Sequence, residues 1–299
     1  MTTARESARE CLDAGRRAEH ADDLDEALSL YGDAALHGMD DPAIIAEALT
    51  RQAAVYRRRS EWDIAVDHAR RARSIAEDAE LAPLVIDALV AEANALMCRG
   101  SLDSAMGVYE RLLRTADDER QRGIALQNMG SIHAQRGDLD LARDAFEESR
   151  DLFLRAGYER GEAIALNNLG RVALDASSLD DAEDMLQEAL VGARTVADAE
   201  LTALVLLNLA QLRLRLDATD AAYAMTRGAL EHFEASGNGW RQIECWTVLG
   251  DLAARGARHA EARDAYERAA ALAQRVDSRR DGELLAVRLR ALEVAEGRE

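Results

Sequence analysis

Leu126-Gln127-Asn128-Met129-Gly130 decides the fold, because it returns. Forty residues on it reads Leu166-Asn167-Asn168-Leu169-Gly170, then Leu206-Leu207-Asn208-Leu209-Ala210, and more faintly Trp246-Thr247-Val248-Leu249-Gly250. A small residue follows each copy at a fixed offset: Ala142, Ala182, Ala222 and Ala262. A period between about 20 and 50 residues marks an array of one supersecondary unit, in which each copy buries its apolar face on the next.

Working outward, each copy reads as two helices. Ile124, Leu126, Met129, Ile132 and His133 form one apolar stripe at helical spacing. Gly137-Asp138 interrupts it, the glycine as a helix stop and Asp138 as an N-cap. Leu141, Ala142, Ala145, Phe146, Ser149 and Leu152 form a second stripe, which ends at Ala156-Gly157. Similar turns stand at Asp22-Asp23, Ser60-Glu61, Gly100-Ser101 and Ser177-Ser178. The small residues then run Ala27, Ala65, Ala105, Ala142, Ala182, Ala222 and Ala262, spaced 37 to 40 residues apart. This predicts seven repeats, at about 3–40, 41–80, 81–117, 118–157, 158–197, 198–237 and 238–278, in one domain spanning 1–299. Pro42 and Pro83 stand where first helices begin, a position that tolerates a missing N–H. A last amphipathic helix over 279–296, with Leu284, Leu285, Leu289, Leu292 and Val294, is expected to cap the array. A small residue on each helix lets the two cross closely. The bulky Tyr31, Tyr109, Phe146 and Tyr266 are expected to fill the space between successive repeats.

The spacing of Leu-Gly, a small residue twelve later and a bulky one four after that resembles the tetratricopeptide repeat. It is carried by Met129-Gly130/Ala142/Phe146, Leu169-Gly170/Ala182/Leu186 and Leu249-Gly250/Ala262/Tyr266. The period exceeds the 34 residues of the common form. The longer period, with Arg160-Gly161-Glu162-Ala163 leading into the phrase, is similar to the variety in kinesin light chains, bacterial Rap regulators and actinobacterial regulatory proteins. The resemblance implies an all-α, right-handed superhelical solenoid whose first helices line a concave groove. It also implies that Asn128, Asn168 and Asn208 face that groove, where an amide can donate to and accept from the backbone of an extended peptide. Gln127, Asn167, Arg171, Gln211 and Arg215 are expected around them, with Arg16, Arg51, Arg57 and Arg58 towards the N-terminus. The groove positions are close to charge balance.

Composition narrows the function. The chain has 299 residues, a net charge of -19 and no lysine, so all 37 basic residues are arginine. A GC-rich genome accounts for that bias, and adaptation to salt would do so as well. The negative field disfavours nucleic acid and anionic membranes. No run approaches the roughly 18 apolar residues of a membrane helix. The opening MTTARESARECLD lacks the apolar core of a signal peptide, so a cytoplasmic location is expected. Cys11, Cys98 and Cys245 read as buried thiols, and the six histidines lack metal-ligand spacing. Trp240 and Trp246 read as packing residues. No phosphate loop, zinc motif or nucleophile elbow is present, so neither catalysis nor a cofactor is expected. The reading is a non-catalytic adaptor or scaffold that holds a protein or peptide segment. The alternatives are a ligand-gated regulator and an end-to-end assembling scaffold.

Overall fold

The computed structural model describes residues 4–276 and 278–296. Residue 3 of the first expected repeat and residue 277 of the seventh lie outside them. The described residues are all-helical apart from turns, with fifteen helices and no strand.

Two compact units follow one another, Met1–Arg136 and Gly137–Glu299. The first holds α1 (Ala4–His20), α2 (Leu24–His37), α3 (Pro42–Arg58), α4 (Trp62–Asp78), α5 (Ala82–Cys98), α6 (Leu102–Thr115) and α7 (Glu119–Arg136). The second holds α8 (Leu139–Arg155), α9 (Glu159–Asp175), α10 (Leu179–Thr195), α11 (Ala199–Arg215), α12 (Thr219–Ala235), α13 (Gly239–Arg255), α14 (His259–Arg275) and α15 (Arg279–Glu296). Within each unit every helix packs on its successor, and alternate helices also touch, α3 with α5 and α9 with α11.

The small residues are what allow this. Ala27, Ala65, Ala105, Ala142, Ala182, Ala222 and Ala262 are all 0% exposed, so the register read from the sequence is the register of the core. Opposite them, a Cβ added to Gly170 would stand 2.6 Å from Leu186 Cγ, and one added to Gly15 would stand 2.6 Å from the Tyr31 ring. Gly250 lies against Tyr266 in the same way. In these hairpins the bulky residues therefore fill the inside, on the first helix's small residue, instead of the space between repeats. Three of their phenols continue to the first helix: Tyr31 Oη donates to Glu19 at 2.8 Å, Tyr109 Oη to Asn94 at 2.7 Å and Tyr266 Oη to Asp251 at 2.7 Å.

One turn recurs within and between hairpins. The second residue after the helix takes a left-handed conformation, as at Gly157 (φ 61°) and Ser177 (φ 62°). The next N–H then bonds back five residues, Tyr158 N to Phe153 O and Ser178 N to Ala173 O, both at 2.9 Å. This backbone closure satisfies the last carbonyls. Asp138, expected as a side-chain cap, makes no capping bond. Asp41 does cap: its carboxylate accepts from Ala43 N at 3.1 Å, ahead of Pro42.

Arginines near the ends of several first helices tie a repeat to the one before. Arg58 donates to Glu19 O at 3.2 Å and Asp22 Oδ1 at 2.5 Å, and Arg99 to Asp63 Oδ1 at 2.9 Å. Arg215 donates to Leu174 O. Arg255 donates to Leu214 O at 2.5 Å and Asp217 Oδ1 at 2.7 Å. A cation at a helix C-terminus also suits the helix dipole. A second ionic cluster centres on a buried carboxylate. Glu92, 3% exposed, accepts from Arg70 at 2.8 Å and Arg73 at 3.0 Å.

The last helix buries Leu285 and Leu292 against Tyr266, Ala269 and Ile243, with Leu289 half-covered. The expected stripe is off by part of a turn, for Leu284 and Val294 are exposed together with Val287. The buried set at i, i+4 and i+7 is the one that meets α14 while Arg288 reaches Asp251 at 2.9 Å. Trp240, expected to pack, is 53% exposed in the first turn of α13. Of the three thiols only Cys245 is buried; Cys11 is half-buried, and Cys98, at the end of α5, is exposed.

Candidate functional site: a groove on first helices

In the first unit, α3 and α5 and the start of α7 line a cavity of about 500 Å³. These are first helices, and they present one wall each because every helix offers a single face at i, i+3/4 and i+7. Helix α3 contributes Glu47, Thr50, Arg51, Ala54 and Arg57. Helix α5 contributes Leu84, Ile86, Asp87, Val90, Ala91 and Asn94. Asp118, Arg120, Gln121 and Ile124 close the third side.

The floor is apolar and the rim is charged with both signs. Arg51 and Arg57 have no ion-pair partner among the described residues, whereas Arg16 is engaged by Asp13 and Glu47, and Arg58 by Asp22. Loss of hydration raises the Asp87 carboxyl above its ordinary range, with Arg51 opposing the rise and Glu47 adding to it. Asn94 is oriented from behind: Tyr109 donates to its carbonyl oxygen, which leaves the amide N–H groups as donors on the groove side. The arrangement offers fixed donors, two free cations and an apolar bed, and it contains no nucleophile–base pair.

The residues singled out from the sequence fall into different surroundings. In the first unit Asn128 is half-buried and its amide donates to Ile124 O of its own helix at 3.0 Å, and Gln127 beside it is half-buried. In the second unit Asn168 and Gln211 are half-buried, and Arg171 is exposed with Asp175 Oδ2 3.6 Å away. Asn167 and Asn208 are each 2% exposed and face one another, Asn208 Nδ2 donating to Asn167 Oδ1 at 2.8 Å. Arg215 is occupied by the carbonyl of Leu174. Sequence reading named Arg51 and Arg57 but missed Thr50, Asp87, Asn94 and Gln121. Asn94 had a signal, for it directly follows Ala93, the small residue of its helix, as Arg171 follows Gly170 and Gln211 follows Ala210.

Among the described residues no cluster of His, Cys, Asp or Glu could hold a metal, and no helix is long and apolar enough to cross a membrane.

Residues 121–194 match the family model of the tetratricopeptide repeat. No curated protein compared with the chain matches its sequence. Among solved structures, the chain is similar to the apo form of RapI, with 14% identity, a TM-score of 0.73, and coverage of 90% of this chain and 98% of that one. It is similar to the apo form of the quorum sensor NprR from B. thuringiensis, with 16% identity, a TM-score of 0.74, and coverage of 90% and 77%. It is also similar to the Rap conjugation gene regulator of plasmid pLS20 in complex with the Phr* peptide, with 19% identity, a TM-score of 0.67, and coverage of 91% and 76%. The helical hairpins, their small-residue register and the match over 121–194 give the chain a fold of the tetratricopeptide-repeat kind.

Proposed function

We propose that the chain is a non-catalytic, peptide-responsive regulator that holds an extended peptide segment on the faces of its first helices. The observation that carries this reading is the groove of α3, α5 and α7, where unpaired Arg51 and Arg57 and the oriented amide of Asn94 stand over an apolar bed. An extended peptide has that chemistry: backbone carbonyls for the amide, acidic groups for the arginines and alternating apolar side chains for the bed. The peptide-bound Rap regulator of pLS20, similar in fold, supports a peptide as the ligand class. Asn128 in the first unit, and Asn168, Arg171 and Gln211 in the second, are the further positions proposed to meet a peptide or partner.

The test is selection of short peptides from a displayed library on the full chain, followed by titration against the Arg51→Ala/Arg57→Ala double variant. Selected peptides should be acidic and should lose affinity at least tenfold, because each charge-assisted bond contributes about 1.5–3 kcal/mol. Equal binding to wild type and double variant would overturn the assignment of this groove.

A second reading rests on α15. Its exposed Leu284, Val287 and Val294 form an apolar stripe facing away from α14, which favours end-to-end assembly as a scaffold. Sedimentation of the full chain and of a Val287→Glu variant decides it: a concentration-dependent oligomer that the substitution dissolves supports assembly, and a monomer throughout removes it.

A further inference from the structure

A second pocket lies in the second unit, on other elements than the groove. Helices α12, α13 and α14 enclose about 380 Å³, with Tyr223, Arg227, Trp246, Arg258, Glu261 and Asp264 in the lining. Its origin is legible in the repeat. The places forty residues apart that hold Leu126, Leu166 and Leu206 hold Trp246 here. Around that larger side chain the walls are small, Ala253, Ala260 and Ala265, so the ring is half-buried and the space beside it stays open.

Trp246 and the 51% exposed Tyr223 supply aromatic surface. The Arg268 guanidinium lies 4.8 Å from the Trp246 ring centroid, so part of that π surface is already covered by a cation, itself held by Asp264 at 2.9 Å. Arg227, half-buried at the rim, makes no ion pair among the described residues. Arg258 stands 3.7 Å from Glu261. The acids of the pocket are thus matched by Arg258 and Arg268, and the remaining charge is positive. Small-molecule sites have this composition, with aromatic walls, one orienting charge and about 300–1,000 Å³ of volume.

We propose that this pocket binds a small aromatic carboxylate, with its ring against Trp246 and Tyr223 and its carboxylate on Arg227. Aromatic pairs favour offset or edge contacts, which a half-buried indole leaves available. A guanidinium binds a carboxylate through paired, charge-assisted hydrogen bonds. The site shares no residue with the groove of α3, α5 and α7, so it stands or falls apart from the peptide reading.

The test uses the full chain and indole-3-acetate as probe, followed by calorimetry and by NMR of the tryptophan indole N–H. Tryptamine keeps the ring and reverses the charge; acetate keeps the carboxylate and lacks the ring. Indole-3-acetate should bind and shift one indole signal, and neither control should. Trp246→Leu, which restores the residue of three other repeats and so should fold, is expected to abolish binding. Arg227→Gln should weaken it about tenfold, the loss of one charge-assisted contact. Circular dichroism melts confirm that both variants are folded. Absence of binding to wild type, equal binding of tryptamine, or unchanged binding to both variants would each overturn the proposal.

Discussion

Asn208 on α11 donates a 2.8 Å hydrogen bond to Asn167 on α9, and each residue is 2% exposed. Two adjacent first helices are therefore joined by a buried amide pair. Asn208→Ala should leave the Asn167 carbonyl buried and unpaired, destabilising the chain by about 1–3 kcal/mol. Replacing both by alanine should lose less than the sum of the two single alanine changes. Urea denaturation of the four proteins measures this; strict additivity would mean the pair contributes nothing as a pair.

Gly250 permits Tyr266 to lie on α13. Gly250→Ala places a Cβ against the ring and should cost about 1–3 kcal/mol by overpacking, despite the better helix propensity of alanine. Tyr266→Thr should recover part of that loss, since the repeat with Ala210 at the small place carries Thr226 at the matching one. Thermal melts of the single and double variants decide the matter, and a Gly250→Ala protein as stable as wild type would refute the close crossing.

Glu183 titrates below its ordinary value because Arg213 hydrogen-bonds it, at 2.6 and 2.9 Å. A carboxyl whose folded pKa is depressed stabilises the fold above its unfolded pKa and loses that contribution as pH falls through the folded one. Arg213→Gln should therefore be less stable than wild type at neutral pH, and the gap should close as pH drops below the ordinary carboxyl value of 4.5. The pair is partly exposed, so the gap is small and salt-sensitive. Melts across pH 7 to 3, an interval spanning roughly the carboxylate range, give the readout.

The thiols should differ in reactivity. Cys98 is exposed, while burial, with Glu244 adding, pushes Cys245 up to about 12. Because the thiolate is the reactive form, a native chain treated with iodoacetamide at pH 8 should be labelled at Cys98 first. Cys245 should react only after unfolding. Mass spectrometry of peptides separates the sites, and early labelling of Cys245 would show that α13 opens.

The helices and their core were readable because the forces that set them are periodic. An alanine at a close crossing recurs at each crossing, so Ala27 through Ala262 announced themselves. The side of the helix on which an amide ends up was not readable from one phrase. Asn168 and Asn208 hold equivalent places, yet Asn208 turns to its neighbour because Asn167, where other copies have Gln127 and Leu207, offers it an acceptor. Arg215 looked free in the sequence because its partner is a backbone carbonyl, and carbonyls have no sequence signature. The α3–α5–α7 groove uses repeated places, Glu47, Asp87 and Ile124 sharing one and Ala54 and Asn94 another, but no residue type recurs at them. Its Arg51, Asp87 and Gln121 differ from copy to copy, as surfaces do when packing does not constrain them.

The left-handed turns bear on how far this chain is from its thermal limit. Gly100, Gly137, Gly157 and Gly237 occupy some of them, while Asp22, Ser60, Glu80, Ser177, Ala197, Asp217 and Ala257 hold the same backbone with a Cβ attached. An L-residue there carries roughly 1–2 kcal/mol of steric strain, more than the extra chain freedom that glycine brings to the unfolded state, about 0.5–1 kcal/mol. Asp22 and Asp217 receive Arg58 and Arg255, so changing them would also break a tie. Ser177, Ala197 and Ala257 carry no such bond in the turn. Being separated along the chain, they should respond independently. Nature has thus left this array with vacant headroom: three glycines would raise its heat tolerance without touching either pocket.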